Sequence, residues 1–170
     1  YMPTHPTHGH LEDTLANALA YDFAEKGIPF VFHAVNRLDR NTSGTVLIAK
    51  NSMSAAILGN AMARGEIEKT YWAVLRGKMD IGEGEINRPI KRVQESIITR
   101  RICDEGEGAP ACTRYRVLSA HADYSIVEAK PLTGRTHQLR VHFASIGHPI
   151  LGDDLYGTAD ARIGRQALHA

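Results

Sequence analysis

The chain has 170 residues, 43% of them hydrophobic and 23% charged, which is the composition of a globular protein with one core. Its formal net charge is +1 and its pI is about 8.0, so overall charge alone does not indicate a nucleic-acid-binding protein. No apolar run approaches the ~18 residues of a membrane span and no signal-peptide pattern opens the chain, so we expect a cytoplasmic protein without membrane contact.

The first third of the sequence predicts two helices and two short extended segments. Apolar residues recur at helical spacing before Gly27, and a second such run begins after a capping Asn51 or Ser52. The predicted elements are a helix over 13–26, extended segments over 28–35 and 45–49, and a helix from 51 or 52 to 62 or 63.

Strands dominate the rest, separated by Gly, Pro and acidic turns. The predicted strands cover 68–75, 85–89, 96–103, 113–119 and 124–130. A third helix over 136–146 places Leu139, Phe143 and Ile146 on one face. Helices packed on many short strands favour the α+β class, with a mixed, mostly antiparallel sheet flanked by helices.

The most informative segment is 36–45, which sets Asp39 between Arg37 and Arg40 ahead of a turn and an apolar run. Because a neighbouring cation favours the charged form of a carboxylate, we expect Asp39 to be ionised. An ionised, positioned carboxylate beside guanidinium groups suits a nucleophile that attacks a sugar carbon of a polyanion. An isolated string of this kind is more often a surface salt bridge.

Three segments in order resemble the RluA-type RNA pseudouridine synthases. Residues 36–44 resemble the signature H-R-L-D-x-x-T-S-G, residues 68–77 the strand K-x-Y-x-A-x-V-x-G, and residues 134–157 the block G-R-T-H-Q-I-R-V-H … G-x-P-I-x-G-D-x-x-Y-G. Asn36 stands where the family usually has His. The resemblance implies the pseudouridine synthase fold, with a large sheet as the floor of an RNA-binding cleft. It also implies one catalytic domain over 1–170, partial at both ends, which an S4-type RNA-binding module often precedes in the family.

The resemblance implies an enzyme that isomerises uridines of structured RNA, rRNA or tRNA, to pseudouridine, after flipping the base into a basic cleft. Asp39 matches the catalytic nucleophile, and Tyr71 matches the residue at the target uracil. Arg140 matches the ion-pair partner of the nucleophile, with Arg135 as the fallback. Whether Asp39 adds to C1′ or assists a glycal route stays open.

Other positions match or suggest RNA contacts. Arg37 matches the residue that displaces the target base, and Leu168 matches the apolar wall of the uracil pocket. The further RNA-binding candidates are Arg40, Lys69, Arg135 and His137. A cluster of basic residues can bind phosphates although the total charge nearly cancels. Its members, within fourteen residues, are Arg88, Lys91, Arg92, Arg100 and Arg101.

The histidines raise the alternative of a metal site, and the cysteines that of a disulfide. His137 and His142 form only a weak metal pattern, because a helix sets them apart around its axis. His5, His8 and His10 are expected in a solvated loop, with a three-His metal site as the alternative. Cys103 and Cys112 flank a loop that a disulfide could bridge, but a cytosolic chain keeps such thiols reduced. We expect no metal, no cofactor, RNA as the partner and a monomer.

Two functions from other classes compete with the isomerase. One is a non-catalytic RNA-binding protein, which has no use for a carboxylate that repels phosphate. The other is a hydrolytic glycosidase or nucleosidase, but classical glycosidases use two paired carboxylates and this motif offers one. Free uracil or ribose among the products would indicate the second.

Overall fold

A computed structural model describes residues 2–7 and 9–170. The chain divides into two compact units, Tyr1–Ile67 and Glu68–Ala170. Among the described residues, no helix combines the length and the apolar character that crossing a bilayer requires. Of the three N-terminal histidines, His8 lies outside the described residues, His5 is exposed, and His10 hydrogen-bonds Asp13 through Nδ1 at 2.7 Å.

The first unit contains two helices and a small antiparallel ladder. Its elements are α1 (Leu15–Glu25), β1 (His33–Ala34), β2 (Ile48–Ala49) and α2 (Ser52–Ala63). A capping box between Thr14 and Asn17 begins α1, and Gly27 follows its end with a φ of +62° that suits glycine. Asn51 Oδ1 accepts from Ser54 N–H at 2.8 Å and begins α2. Both predicted helices are confirmed, whereas the two extended segments pair over only two residues each.

The second unit is an antiparallel sheet packed against one helix. Its elements are β3 (Tyr71–Arg76), β4 (Glu83–Asn87), β5 (Ile90–Arg92), β6 (Arg100–Ile102), β7 (Cys112–Ala120), β8 (Tyr124–Pro131), α3 (Gln138–Ser145) and β9 (Leu168–His169). Five strands follow the order β4-β7-β8-β3-β9, and β5 and β6 form a separate hairpin. The α+β class with a mostly antiparallel sheet is confirmed, since the described strand pairs are antiparallel.

The core of the second unit lies between the sheet and α3. Strand alternation buries Ala73 and Leu75 of β3, while Trp72 on the opposite face is 59% exposed. Residues 138–143 of α3 are all buried, and Phe143 packs edge-on against Tyr115 with ring centroids 5.7 Å apart. This packing fixes α3, which carries Arg140 and begins directly after His137.

The predicted strand over 96–103 is wrong at its beginning. Ser96 Oγ accepts from the N–H groups of Ile98 and Thr99, which folds 96–99 into a turn, so that β6 begins only at Arg100. This turn reverses the chain between β5 and β6. The sequence did not predict β5, because this strand has only three residues and directly follows Pro89.

Candidate active site

The loop that carries Asp39 connects β1 to β2 in the first unit, and Asn36 fastens its base. Asn36 Nδ2 donates to Thr45 O at 3.2 Å, and Asn36 Oδ1 accepts from Leu47 N–H at 2.7 Å. A backbone bond from Val35 N–H to Leu47 O, at 2.8 Å, lies beside them. The residue that departs from the family signature therefore holds both ends of the loop together.

Within this loop Asp39 is half-buried, while Arg37 and Arg40 on either side are exposed. Thr42 N–H donates to the Asp39 carbonyl at 3.0 Å, and Asn41 has a φ of +65°, a left-handed conformation that Asn tolerates. The backbone thus turns sharply just after the carboxylate, which presents Asp39 at a bend rather than along a strand.

Tyr71 begins β3 on the face that covers the core. It is half-buried and packs against the hydrophobic cluster that includes Ala73. Leu168 of β9 lies directly opposite Ala73 and is 4% exposed, so Leu168 and Tyr71 share this face of the sheet. Leu168 belongs to the core cluster, and its role at a uracil stays a prediction.

Lys69, two residues before Tyr71, lies against the loop that precedes α3. A Cβ placed on Gly134 would be 3.7 Å from Lys69 Nζ. Burial lowers the pKa of Lys69 from its usual value, because the ammonium group loses part of its hydration. The predicted RNA contacts Lys69 and Arg135 thus belong to neighbouring segments of the second unit.

Arg140 forms a buried, bidentate ion pair with Asp153. Arg140 Nε donates to Asp153 Oδ2 and Nη2 donates to Oδ1, both at 2.7 Å, and the two side chains are 6% and 0% exposed. This fork-to-fork geometry fixes the plane of the guanidinium. It leaves the donors of Nη1 to other groups, so the predicted pairing of Arg140 with Asp39 stays a prediction.

The side chain of Gln138, for which the sequence predicted no role, holds the loop before α3 in place by hydrogen bonds. Gln138 Oε1 accepts from Thr133 Oγ1 at 2.7 Å and from Arg135 N–H at 3.0 Å. Its Nε2 donates to Cys112 O at 2.8 Å and to Thr113 Oγ1 at 3.0 Å. The amide therefore joins the loop to the start of β7, and the exposed Arg135 donates from Nε to Pro110 O at 2.9 Å.

His137 and His142 have separate surroundings. His137 precedes α3 with a φ of +58°, and its Nδ1 lies 2.7 Å from Tyr156 Oη. His142 is fully buried, with Nδ1 2.9 Å from Thr113 Oγ1 and Nε2 3.0 Å from the carbonyl of Arg88. Because a carbonyl only accepts, Nε2 carries the hydrogen, and burial lowers the pKa of His142.

Four of the five residues of the basic cluster, all but Arg88, lie in the β5–β6 hairpin, where strand pairing sets like charges opposite one another. Lys91 pairs with Arg101, and Arg92 pairs with Arg100. Lys91 forms an ion pair with Glu107, and the same carboxylate also interacts electrostatically with Arg101. Cys103 at the end of this hairpin and Cys112 are free thiols in the structure.

The sequence reasoning missed four residues that organise these parts: Asn36, Gln138, Asp153 and Tyr156. All four lie inside segments that carry the family resemblance, so the motif itself was the available signal, although it gives no role to each position. One of the four, Asn36, is the position that departs from the motif. The second unit brings Arg140 and His137 together around Tyr156, and Lys69 close to Gly134.

Comparison with known proteins gives consistent matches. Residues 1–145 match the family model described as RNA pseudouridylate synthase. RNA pseudouridine synthase YjbO of Bacillus subtilis is 39% identical over 170 residues, which cover 100% of this chain and 59% of that protein. Ribosomal large subunit pseudouridine synthase D of Zymomonas mobilis is 36% identical over 182 residues, covering 99% of this chain and 57% of that protein.

Among solved structures, human RNA pseudouridylate synthase domain containing 1 is similar, with a TM-score of 0.78 and 34% identity. The match covers 92% of this chain and 66% of that one. This chain therefore spans only somewhat more than half the length of the curated relatives described above. The family match includes residues of both compact units.

Proposed function

Because the chain belongs to the RNA pseudouridylate synthase family, and its relatives place it with the RluA type, we propose that it isomerises specific uridines of ribosomal or transfer RNA to pseudouridine. The observation that carries this proposal is the family match over residues 1–145, which includes the Asp39 loop. Both units then belong to one catalytic domain that acts in the cytoplasm.

The reaction breaks the N-glycosidic bond of a uridine, turns the base and rejoins it through C5, releasing the C5 proton. It requires a carboxylate near the sugar or base, a grip on the flipped base and an acceptor for that proton. Asp39 supplies the carboxylate as the catalytic nucleophile, on a bend whose base Asn36 closes. A single carboxylate in this motif favours rearrangement over hydrolysis, which classically uses two.

Tyr71 serves at the uracil in this proposal. Its position supports the role, because a ring that already packs on the core has little conformational freedom left to lose when a base stacks on it. Arg140 serves as the ion-pair partner of Asp39, and its guanidinium is already held in one plane by Asp153. Arg37, which is exposed, displaces the target base from its stack.

The β5–β6 hairpin supplies the phosphate contacts that net charge alone does not predict. Like charges directly opposite across strands destabilise a ladder, so an anion between Arg92 and Arg100 relieves the repulsion, as Glu107 already does beside Lys91 and Arg101. A phosphate backbone is such an anion, and neutralising it releases counterions.

The test is tritium release from bulk rRNA and tRNA labelled at uracil C5. We expect release by the wild-type chain, none by Asp39→Asn, and full release by Asp80→Asn, a matched change at an exposed aspartate. RNA affinity should be unchanged in Asp39→Asn. RNA binding without release would indicate a binding protein, and free uracil among the products would indicate a hydrolase; either result overturns the proposal.

A further inference from the structure

Two parts of the proposed site meet at one side chain, Tyr156. Arg140 Cζ lies 5.1 Å from the centroid of the Tyr156 ring, which places the guanidinium over the aromatic face. The hydroxyl of the same residue accepts from the backbone N–H of Arg100, the first residue of β6, at 2.9 Å. Tyr156 therefore touches both Arg140 and the backbone of the basic hairpin.

The loop that carries Tyr156 is folded around Asp153. Asp153 Oδ1 accepts from the N–H groups of Leu155 at 3.0 Å and Tyr156 at 3.1 Å. The same carboxylate forms the two bonds to Arg140. One buried group thus sets the position of the guanidinium and of the ring beside it.

The base of the hairpin rests on the same ring. Ile90 of β5 and Ile102 of β6 lie opposite each other and pack with Tyr156 and with Val141 of α3. The Tyr156 hydroxyl therefore has a fixed position, because the ring that carries it packs against apolar side chains from the hairpin and from α3.

The hydroxyl has a second partner. Burial raises the pKa of Tyr156, so the phenol keeps its proton at neutral pH. While it accepts from Arg100, it has one hydrogen to share with Nδ1 of His137, 2.7 Å away, whose ring stands edge-on at 5.5 Å. A cation over an aromatic face is held electrostatically by the ring, whether or not a hydroxyl is present.

We propose that Tyr156 is a positioning residue with two separable effects: its hydroxyl holds the basic hairpin and His137 for RNA binding, and its ring supports the face of the Arg140 guanidinium, whose plane Asp153 sets, for the reaction. The proposal rests on the proposed function for its kinetic consequences. Its structural part, that hydroxyl and ring hold different groups, stands on the contacts within the second unit alone.

The experiment compares Tyr156→Phe with Tyr156→Leu, with Tyr124→Phe as the matched loss of a hydroxyl elsewhere in the sheet. We expect Tyr156→Phe to raise KM for RNA about tenfold, equivalent to 1.4 kcal/mol, while kcat stays near the wild-type value. Tyr156→Leu should raise KM similarly and also lower kcat about tenfold or more. Tyr156→Met replaces the Leu variant if that variant does not fold.

Hydrogen exchange measured by NMR tests the same idea without catalysis. The Arg100 amide should exchange about tenfold faster in both variants, whereas Arg140 Nε–H should lose protection only when the ring is removed. Equal kinetic profiles for Phe and Leu, or unchanged Arg140 protection in Tyr156→Leu, would overturn the proposal. A wild-type chain that releases no tritium defeats the proposed function instead, and the exchange data then decide the role of Tyr156 by themselves.

Discussion

Asn36 performs in this chain a task that explains why its difference from the family signature is tolerated. Its amide offers one donor to Thr45 O and one acceptor to Leu47 N–H, and both bonds cross the base of the Asp39 loop. A neutral imidazole also carries one donor and one acceptor. The same two contacts are therefore within the capacity of the histidine that usually occupies this position.

A substitution series at Asn36 tests this reading. Asn36→Ala removes both bonds, each worth about 1 kcal/mol, and we expect a loss of about 1–2 kcal/mol in urea unfolding with a fall in kcat as Asp39 becomes less fixed. Asn36→His should keep most of the activity. Asn60→Ala, at an exposed position of α2, is the control and should change neither quantity. Loss of activity in Asn36→His equal to that in Asn36→Ala would contradict the prediction.

The Arg140–Asp153 pair should dominate the electrostatic contributions to stability. Asp153→Asn keeps the shape but leaves a guanidinium that is 6% exposed without its carboxylate, so we expect unfolding free energy to fall by about 3–5 kcal/mol. Glu85→Gln breaks an ion pair with Arg114 that is largely exposed, and should cost less than about 1 kcal/mol. Urea unfolding of both variants measures the contrast, and equal losses would show that burial of the pair does not matter.

At the scale of helices and strands, the sequence predicts correctly those elements that depend on residues close together in the chain. The helices α1 and α2 follow from capping residues and apolar spacing, which are set within a few neighbouring residues. The bounds of β5 and β6 depend on pairing across a turn, and the turn depends on the Ser96 hydroxyl, so apolar content alone placed the strand too early.

The candidate site shows the same division between local and distant information. The sequence singles out Asp39, Tyr71 and Arg140 because each lies in a contiguous motif that resembles one family, and their catalytic roles stay predictions. The sequence does not reveal the partner of Arg140, because Asp153 lies thirteen positions away and only the tertiary fold brings the two together. Gln138 and Tyr156 likewise act through residues far along the chain, which spacing does not reveal.

The β5–β6 hairpin should determine how RNA affinity depends on salt. Each cation that neutralises a phosphate contributes about 0.7 to the slope of log affinity against log salt for single-stranded RNA. We expect Arg92→Gln and Arg101→Gln each to lower that slope by about this amount. The control is Arg116→Gln, whose guanidinium pairs with Glu128 at 3.4 Å and should leave the slope unchanged. Binding measured between low and high salt decides the matter, and a slope insensitive to the hairpin changes would exclude it as the phosphate contact.

At the scale of the whole molecule, the small net charge conceals an uneven distribution. Elsewhere in the second unit, arginines and carboxylates pair across neighbouring strands, as Arg114 does with Glu85 and Arg116 with Glu128. These pairs cancel in the net charge of +1, whereas the hairpin sets cations opposite cations. Net charge therefore says little about which surface of this chain could bind a polyanion, and strand register says much more.

Stability of the whole chain should fall in mild acid because of His142. The folded state holds its imidazole neutral and fully buried, with a pKa below the ordinary value of 6.5. Below about pH 6.5 the unfolded chain takes up a proton that the folded chain refuses, so the unfolded state binds more protons. Stability is then complete above that pH and decreases as the pH falls, by up to about 1.4 kcal/mol per unit until the folded-state pKa is reached.

His142→Gln isolates this contribution, because an amide can donate to Arg88 O and accept from Thr113 Oγ1 without titrating. We expect urea unfolding between pH 7 and about pH 5.5 to show a shallower dependence in this variant than in the wild type. His121→Gln, at an exposed position in the same unit, should keep the wild-type dependence. If urea unfolding of His142→Gln kept the full pH dependence of the wild type, other groups would be taking up the protons. The neutral imidazole of His142, which joins α3 to β7, would then not be the cause of the lower stability in acid.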